Sequence, residues 1–212
     1  MFVSRSSIAI VAVLGLSLAM ATQAASLSFT GNFSKDDDVQ LFNFSVTTPS
    51  TVTLVTWSYA GGVNSAGTSI PEGGFDPILA LYNAAGTFID NNDDGDCGQV
   101  PESVVTGSCF DTYFQSTIQP GDYTVAIQQY DNFALGNLSD GFSETGLPFF
   151  TSEYGCSNGQ FCDVDGYNRT KAWAFDILNV DSAAVVPLPA SIWFLVTGIA
   201  GLVWRSRRHT AS

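Results

Sequence analysis

The sequence predicts an antiparallel all-β protein, a β-sandwich or jelly roll with long loops. Three observations carry that expectation: short runs alternate apolar with polar residues and favour β-branched and aromatic side chains, proline- and glycine-bearing turns separate them, and no amphipathic helical period intervenes. Leu27, Ser28 and Phe29 open the body. Residues 41–46 (LFNFSV) alternate over part of their length, and 51–57 (TVTLVTW) do so more clearly. Further strands are expected at 78–82, 87–90, 113–118, 123–129 and 172–180. The turns are Pro49-Ser50, 83–86 (NAAG) and 119–122 (QPGD), where proline presets φ and glycine accepts a positive φ. Two stretches, 61–75 and 131–166, are rich in glycine, serine, asparagine and aromatics without alternation, and are expected to be long loops.

Three regions divide the 212 residues. Residues 1–24 carry one basic residue, Arg5, then an apolar run over 8–20 and small residues up to Ala24, the plan of a secretory signal peptide. Residues 25–182 are the β-sandwich domain. Residues 186–208 form a C-terminal hydrophobic helix bounded by prolines and arginines. Its uncharged stretch, 190–204, would span about 22 Å as a helix, short of the roughly 30 Å hydrocarbon core of a membrane. Arg205, Arg207 and Arg208 set the orientation, because a basic cluster stays on the cytoplasmic side. The body is therefore expected outside the cytoplasm.

All four cysteines, Cys97, Cys109, Cys156 and Cys162, fall in the exported portion. An even count behind a signal peptide points to two disulfides. Three pairings are formally possible; sequence proximity favours Cys97 with Cys109 and Cys156 with Cys162, each stapling a loop. A zinc site is the alternative, but no CxxC spacing and no accompanying histidine support it.

The body is strongly acidic. All twenty acidic residues lie between residues 25 and 184, against three bases, Lys35, Arg169 and Lys171, a net charge of −17. Such a surface repels nucleic acid and attracts divalent cations or basic partners, so nucleic-acid binding is excluded as a role. The sharpest local signal is Asp90-Asn91-Asn92-Asp93-Asp94-Gly95-Asp96, which satisfies D-x-N-x-D-G. Alternate oxygens of Asp90, Asn92, Asp94 and Asp96 on a glycine-bearing loop can converge on Ca²⁺, which takes six to eight hard oxygen ligands. The twelfth loop position is Pro101, so this would be a calcium loop between strands rather than an EF-hand; the alternative is an acidic turn with no ion. Asp36 and Asp38, just before a strand, are expected to share a cation with the Asp90 loop, because crowded carboxylates raise one another's pKa unless a metal offsets the repulsion. Asp76, before Pro77, could add a further carboxylate at the same end, and Asp163 with Asp165 form another acidic pair in the long loop.

The ending Val186-Pro187-Leu188-Pro189-Ala190-Ser191, a hydrophobic run and the arginines at 205, 207 and 208 resembles the PEP-CTERM sorting signal. Leu188 stands where the usual signal has glutamate, a variant form. The resemblance implies an exported protein anchored in the inner membrane, at least transiently, until an exosortase-type enzyme processes it near Pro187 and Pro189. It would then reside at the cell surface or outside the cell, among extracellular polysaccharide. A plain C-terminal anchor is the alternative, with the same topology.

Within the body, the stretches 36–44 (DDDVQLFNF), 76–83 (DPILALYN) with Gly86, the acidic loop and 119–125 (QPGDYTV) resemble the bacterial pre-peptidase C-terminal domain. That resemblance covers about residues 32–129. It implies a β-sandwich jelly roll of a kind appended to secreted proteins, some of which bind calcium or aid adhesion.

Catalysis finds little footing. The single histidine, His209, lies in the basic tail, so serines of the body lack the usual base, and no phosphate-cradling glycine loop is present. The expected role is a non-catalytic surface or matrix protein, with calcium stiffening loops or bridging to anionic sugars. Trp57, Tyr59, Phe75, Tyr130, Phe133, Phe142, Phe149, Phe150 and Tyr154 would offer either sugar-stacking faces or packing under the loops. The alternative is a secreted carbohydrate-active enzyme using paired carboxylates.

Overall fold

The structure is a computed structural model, and it describes residues 24–187. The signal peptide expected at 1–24 lies almost entirely outside the described residues, as does the hydrophobic helix expected over 186–208. No helix among the described residues is long and apolar enough to cross a membrane.

Among the described residues eleven strands form: β1 Ala25–Asn32, β2 Val39–Val46, β3 Ser50–Thr56, β4 Gly62–Val63, β5 Ser69–Ile70, β6 Pro77–Asn83, β7 Phe88–Asn92, β8 Tyr113–Ile118, β9 Gly121–Gln129, β10 Ala172–Val180 and β11 Ser182–Val185. Helix among the described residues is confined to two 3₁₀ turns, Leu138–Asp140 and Phe150–Tyr154. The strands make a four-stranded sheet, β1-β10-β3-β8, and a five-stranded sheet, β11-β2-β9-β6-β7, with β4 and β5 as a separate ribbon. Every ladder is antiparallel.

One apolar cluster draws on both sheets, the arrangement expected of a β-sandwich. Phe42 of β2 is fully buried at its centre, with ring centroids 4.9 Å from Phe29, 5.1 Å from Phe175 and 5.7 Å from Trp173. Strand alternation explains the placement: in β2, Phe42, Phe44 and Val46 share a face and are all buried, while Asn43 between them is exposed. Gly31 of β1 answers to Trp173 across the pair, and a Cβ there would meet the indole ring at 2.2 Å.

Both outer faces carry a further apolar cluster. Ala80, Tyr82, Ala126 and Phe142 pack with Val39, Leu41, Phe88, Ala134 and Leu138, so the loop after β9 covers part of the five-stranded sheet. Val55, Val100 and Cys109 pack with Trp57, Tyr113 and Leu178, so the loop between β7 and β8 covers part of the other. The two disulfides, Cys97–Cys109 and Cys156–Cys162, close short loops with Cα separations of 5.3 and 5.5 Å, the pairing that proximity favours, and none of the four cysteines is free for zinc. Phe161, one residue before Cys162, inserts into the main core, 6.1 Å from Phe75.

Two features are not visible in the alternation. The loop expected at 61–75 holds the β4–β5 ribbon. Beyond the boundary expected at 182, β11 pairs with β2, Val185 opposite Phe42, and Val186 donates from its N–H to the Leu41 carbonyl at 2.9 Å. The chain is therefore fastened to the sheet edge as far as the residue before Pro187.

Candidate functional site

The acidic corner of the molecule is built by the start of β6 and the exit of β7. Leu79 lies opposite Asn92, so continuing this register past the strand ends sets Asp76 and Pro77 beside residues 93–95. Thr112 secures the junction, its hydroxyl 2.6 Å from the carbonyl oxygens of both Pro77 and Asp93. Asp76, Asp93 and Asp94 each bring a carboxylate oxygen to within 4.8 Å of the others. Asp76 is buried, Asp93 half-buried and Asp94 exposed, so the group opens to solvent on one side.

The electrostatics follow from crowding with partial burial. Burial, then the charges of Asp94, Asp93, Asp111 and Asp163, holds the Asp76 carboxyl well above the ordinary range. Burial followed by Asp94 and Asp131 raises Asp93 to about 7, and burial followed by Asp111 raises Asp94 to about 6. These groups bind protons more tightly folded than unfolded, so their contribution to stability is lost as pH rises from the ordinary 3.8 through about 7. With divalent cations chelated, the melting temperature is expected to be higher at pH 5 than at pH 7.5, the reverse of ordinary acid denaturation. Asp93→Asn should flatten that slope; an unchanged slope would remove the cluster as its cause.

The predicted site residues are divided. Of the D-x-N-x-D-G series only Asp94 joins this cluster. Asp90 is exposed on β7, with Oδ1 accepting from the Asn91 N–H at 2.9 Å. Asn92 ends β7 with a buried, unpartnered Oδ1. Asp96 is exposed, and its carbonyl accepts from the N–H groups of Gln99 and Val100 in a turn. Strand β7 runs through the first half of the motif and holds it extended, so the four residues do not form one compact loop.

Asp36 and Asp38 are engaged elsewhere. Asp36 is fully buried, and its oxygens accept from the Phe149 N–H at 2.5 Å, the Thr151 N–H at 3.2 Å and the Thr151 hydroxyl at 2.6 Å. Asp38 closes its own turn, accepting from Ser34 N–H at 2.6 Å and Lys35 N–H at 3.0 Å. The expected sharing of a cation with the Asp90 loop gives way to two structural roles, because backbone donors lie within reach of both carboxylates. Asp163 likewise accepts from the Tyr59 hydroxyl at 2.7 Å and from the N–H groups of Asp165 and Tyr167.

Asp93, passed over as a spacer in the motif, is the member that sequence reasoning missed. Its signal was Asp76-Pro77 at a strand start opposite the acidic run, which acquires meaning only with the β6–β7 register. The aromatic residues also divide. Tyr59 and Phe75 are fully buried and Phe142 nearly so, which withdraws them from any sugar. Tyr59 instead supports Arg169, whose guanidinium carbon sits 3.6 Å from the ring centroid, with Nε donating to the Gly74 carbonyl at 2.9 Å and Nη2 to that of Tyr59. Tyr130 and Phe133 pack edge to face, centroids 5.8 Å apart, and both stay half-exposed. Burial, then the charges of Asp131, Asp93, Asp76 and Asp94, raises the Tyr130 hydroxyl pKa, so this residue borders the acidic corner. Of the sorting-signal residues, Pro187 is the last described and is exposed; Pro189 and Arg205, Arg207 and Arg208 lie outside the described residues.

Comparison of the chain with protein-family models and with curated protein sequences gave no match.

Proposed function

We propose that this chain is a non-catalytic exported protein, a surface or matrix component held among extracellular polysaccharide and sorted through its PEP-CTERM-like tail by an exosortase-type enzyme. The observation that carries the reading is the pairing of all four cysteines in two loop-closing disulfides. Such bonds persist in oxidising compartments and are reduced in a cytosol, and they agree with a leader-like N-terminus. Within the all-β class we propose a jelly roll. Setting aside β11 and the ribbon, the sheets read β1-β10-β3-β8 and β2-β9-β6-β7, and successive strands change sheets at every step but β6 to β7.

The test is where the body resides and what it holds. In intact Gram-negative cells expressing the full chain, external protease should reach the body once the outer membrane is opened, its thiols should resist alkylation without reductant, and it should co-sediment with the cells' polysaccharide. A body that is protease-protected in the cytosol with reactive thiols would overturn the proposal.

One observation favours a second reading, a carbohydrate-active enzyme. Asp93, raised to about 7, and Asp94, raised to about 6, are two close carboxylates with pKa values lifted towards neutral, one condition of acid-assisted glycoside cleavage. This reading predicts turnover of the co-sedimenting polysaccharide that Asp93→Asn abolishes. The non-catalytic reading predicts none.

A further inference from the structure

We infer that the corner between the start of β6 and the exit of β7 is a built site for one hard divalent cation, calcium by its ligand chemistry, held by Asp76, Asp93 and Asp94. The inference concerns the folded domain wherever the protein resides, and so goes beyond the reading of export.

Distance supplies the first argument. Two oxygens bound to one Ca²⁺ at 2.3 to 2.6 Å cannot be farther apart than roughly 5 Å. The three carboxylates bring oxygens to within 4.8 Å of one another, so a single ion can touch all three without moving the strands that carry them.

The second argument is independent of the clustering. Asp76 is only 4% exposed, and its Oδ1 is buried without a hydrogen-bond partner. A carboxylate removed from water needs donors, a proton or a cation. The other deeply buried aspartates among the described residues have donors: Asp111 has four, Asp36 three, Asp163 three and Asp176 two, both on Oδ2, its Oδ1 having none. Asp76 instead faces Asp93, whose own Oδ1 is also buried and unpartnered. Oxygens left bare in this way, beside two more carboxylates, are placed to receive a positive charge.

Asn92 Oδ1 and Gln129 Oε1 are both buried without partners, and the pairs Leu79–Asn92 and Pro77–Gln129 set these residues on the two flanks of β6. The Gln129 amide is oriented by its Nε2, which donates to the Cys162 carbonyl at 3.0 Å. The donor set is all oxygen, since the cysteines are oxidised and no histidine belongs to the body, which selects calcium over zinc or copper. Asp94, exposed, leaves an open side for entry and for water ligands. An ion here would join the first residues of β6 to the exit of β7 and offset the repulsion among the three carboxylates.

The experiment uses the full chain purified in detergent, stripped with a chelator and dialysed at neutral pH. Calcium binding is followed by calorimetry, and the melting temperature is recorded with calcium, with magnesium and with neither. One saturable calcium site and a melting temperature raised by calcium more than by magnesium are expected. Asp93→Asn and Asp94→Asn should each weaken calcium binding roughly tenfold or more. Asp76→Asn should abolish the calcium-induced rise yet melt no lower than the parent in chelator, because it removes a buried charge that lacks a partner; a merely structural Asp76 would lower that baseline. Asp90→Asn and Asp96→Asn should bind as the parent does. No saturable calcium binding by the folded parent, or losses with Asp90→Asn and Asp96→Asn but not with Asp93→Asn and Asp94→Asn, would overturn the inference.

Discussion

Asp111→Ala is expected to cost about 3 to 5 kcal/mol of folding stability, the largest loss from any single carboxylate of this domain. Asp111 is fully buried where the loop from β7 meets the turn after β3. Its Oδ1 accepts from the Thr56 hydroxyl at 2.8 Å, the Ser58 N–H at 2.6 Å and the Tyr59 N–H at 3.1 Å, and its Oδ2 from the Ala60 N–H at 2.8 Å. These donors stabilise the carboxylate, yet burial outweighs them and its pKa is raised. Alanine would leave three buried or part-buried backbone N–H groups without an acceptor, each costing about 1 to 3 kcal/mol before any relaxation. The Thr56 hydroxyl would lose its acceptor while still receiving the Thr112 N–H at 2.8 Å. Chemical denaturation of parent and variant measures the loss. Asp111→Asn keeps one oxygen for the three donors at Oδ1 and should lose about half as much. A loss below about 1 kcal/mol for the alanine variant would show that water replaces the carboxylate and that the site is less dry than its burial implies.

Asp36→Ala is expected to cost roughly 2 to 4 kcal/mol and to loosen the long loop ahead of the rest of the fold. Asp36 reaches from the turn before β2 to the backbone of Phe149 and Thr151, and the Thr151 hydroxyl in turn accepts from the Cys162 N–H at 3.2 Å. One carboxylate therefore fastens the loop beside the Cys156–Cys162 disulfide. Amide exchange at Phe149, Thr151 and Cys162 should accelerate far more than at β9 or β10, whose ladders are untouched. The affinity for calcium should stay within a factor of about two, since Asp36 uses its oxygens on the loop. Uniform acceleration across the sandwich, or loss of calcium binding, would show that Asp36 does something other than fasten this loop.

The contrast between Asp36 and Asp76 shows how far a pattern of carboxylates can be read. Asp36-Asp37-Asp38 looks like a ligand run, yet its members have separate uses: Asp36 binds loop backbone, Asp37 Oδ2 accepts from the Gly146 N–H at 3.1 Å, and Asp38 closes its own turn. Asp76 stands alone before Pro77, outside any such run, and it is the one that ends buried without a donor. Residue type was the same in each case. The difference lies in which backbone amides happened to lie opposite, and that depends on loops distant in the chain.

The sequence by itself determined the class of the fold and the core strands, and favoured by proximity the disulfide pairing that the structure shows. Alternation in 41–46 becomes β2 Val39–Val46, the run 113–118 becomes β8 Tyr113–Ile118, and the run 172–180 becomes β10 Ala172–Val180, because strand burial is a period-two property of contiguous residues. Cysteines close along the chain pair because closing a short loop loses little entropy. Tertiary structure alone decided that Asp76, Asp93 and Asp94 would meet, that Tyr59 and Phe75 would be buried, and that Ser182–Val185 would become an edge strand against β2. Each of these rests on register or on packing between segments far apart in the chain. A shift of one residue would turn every side chain of a strand to the opposite face, and local pattern does not encode that alignment.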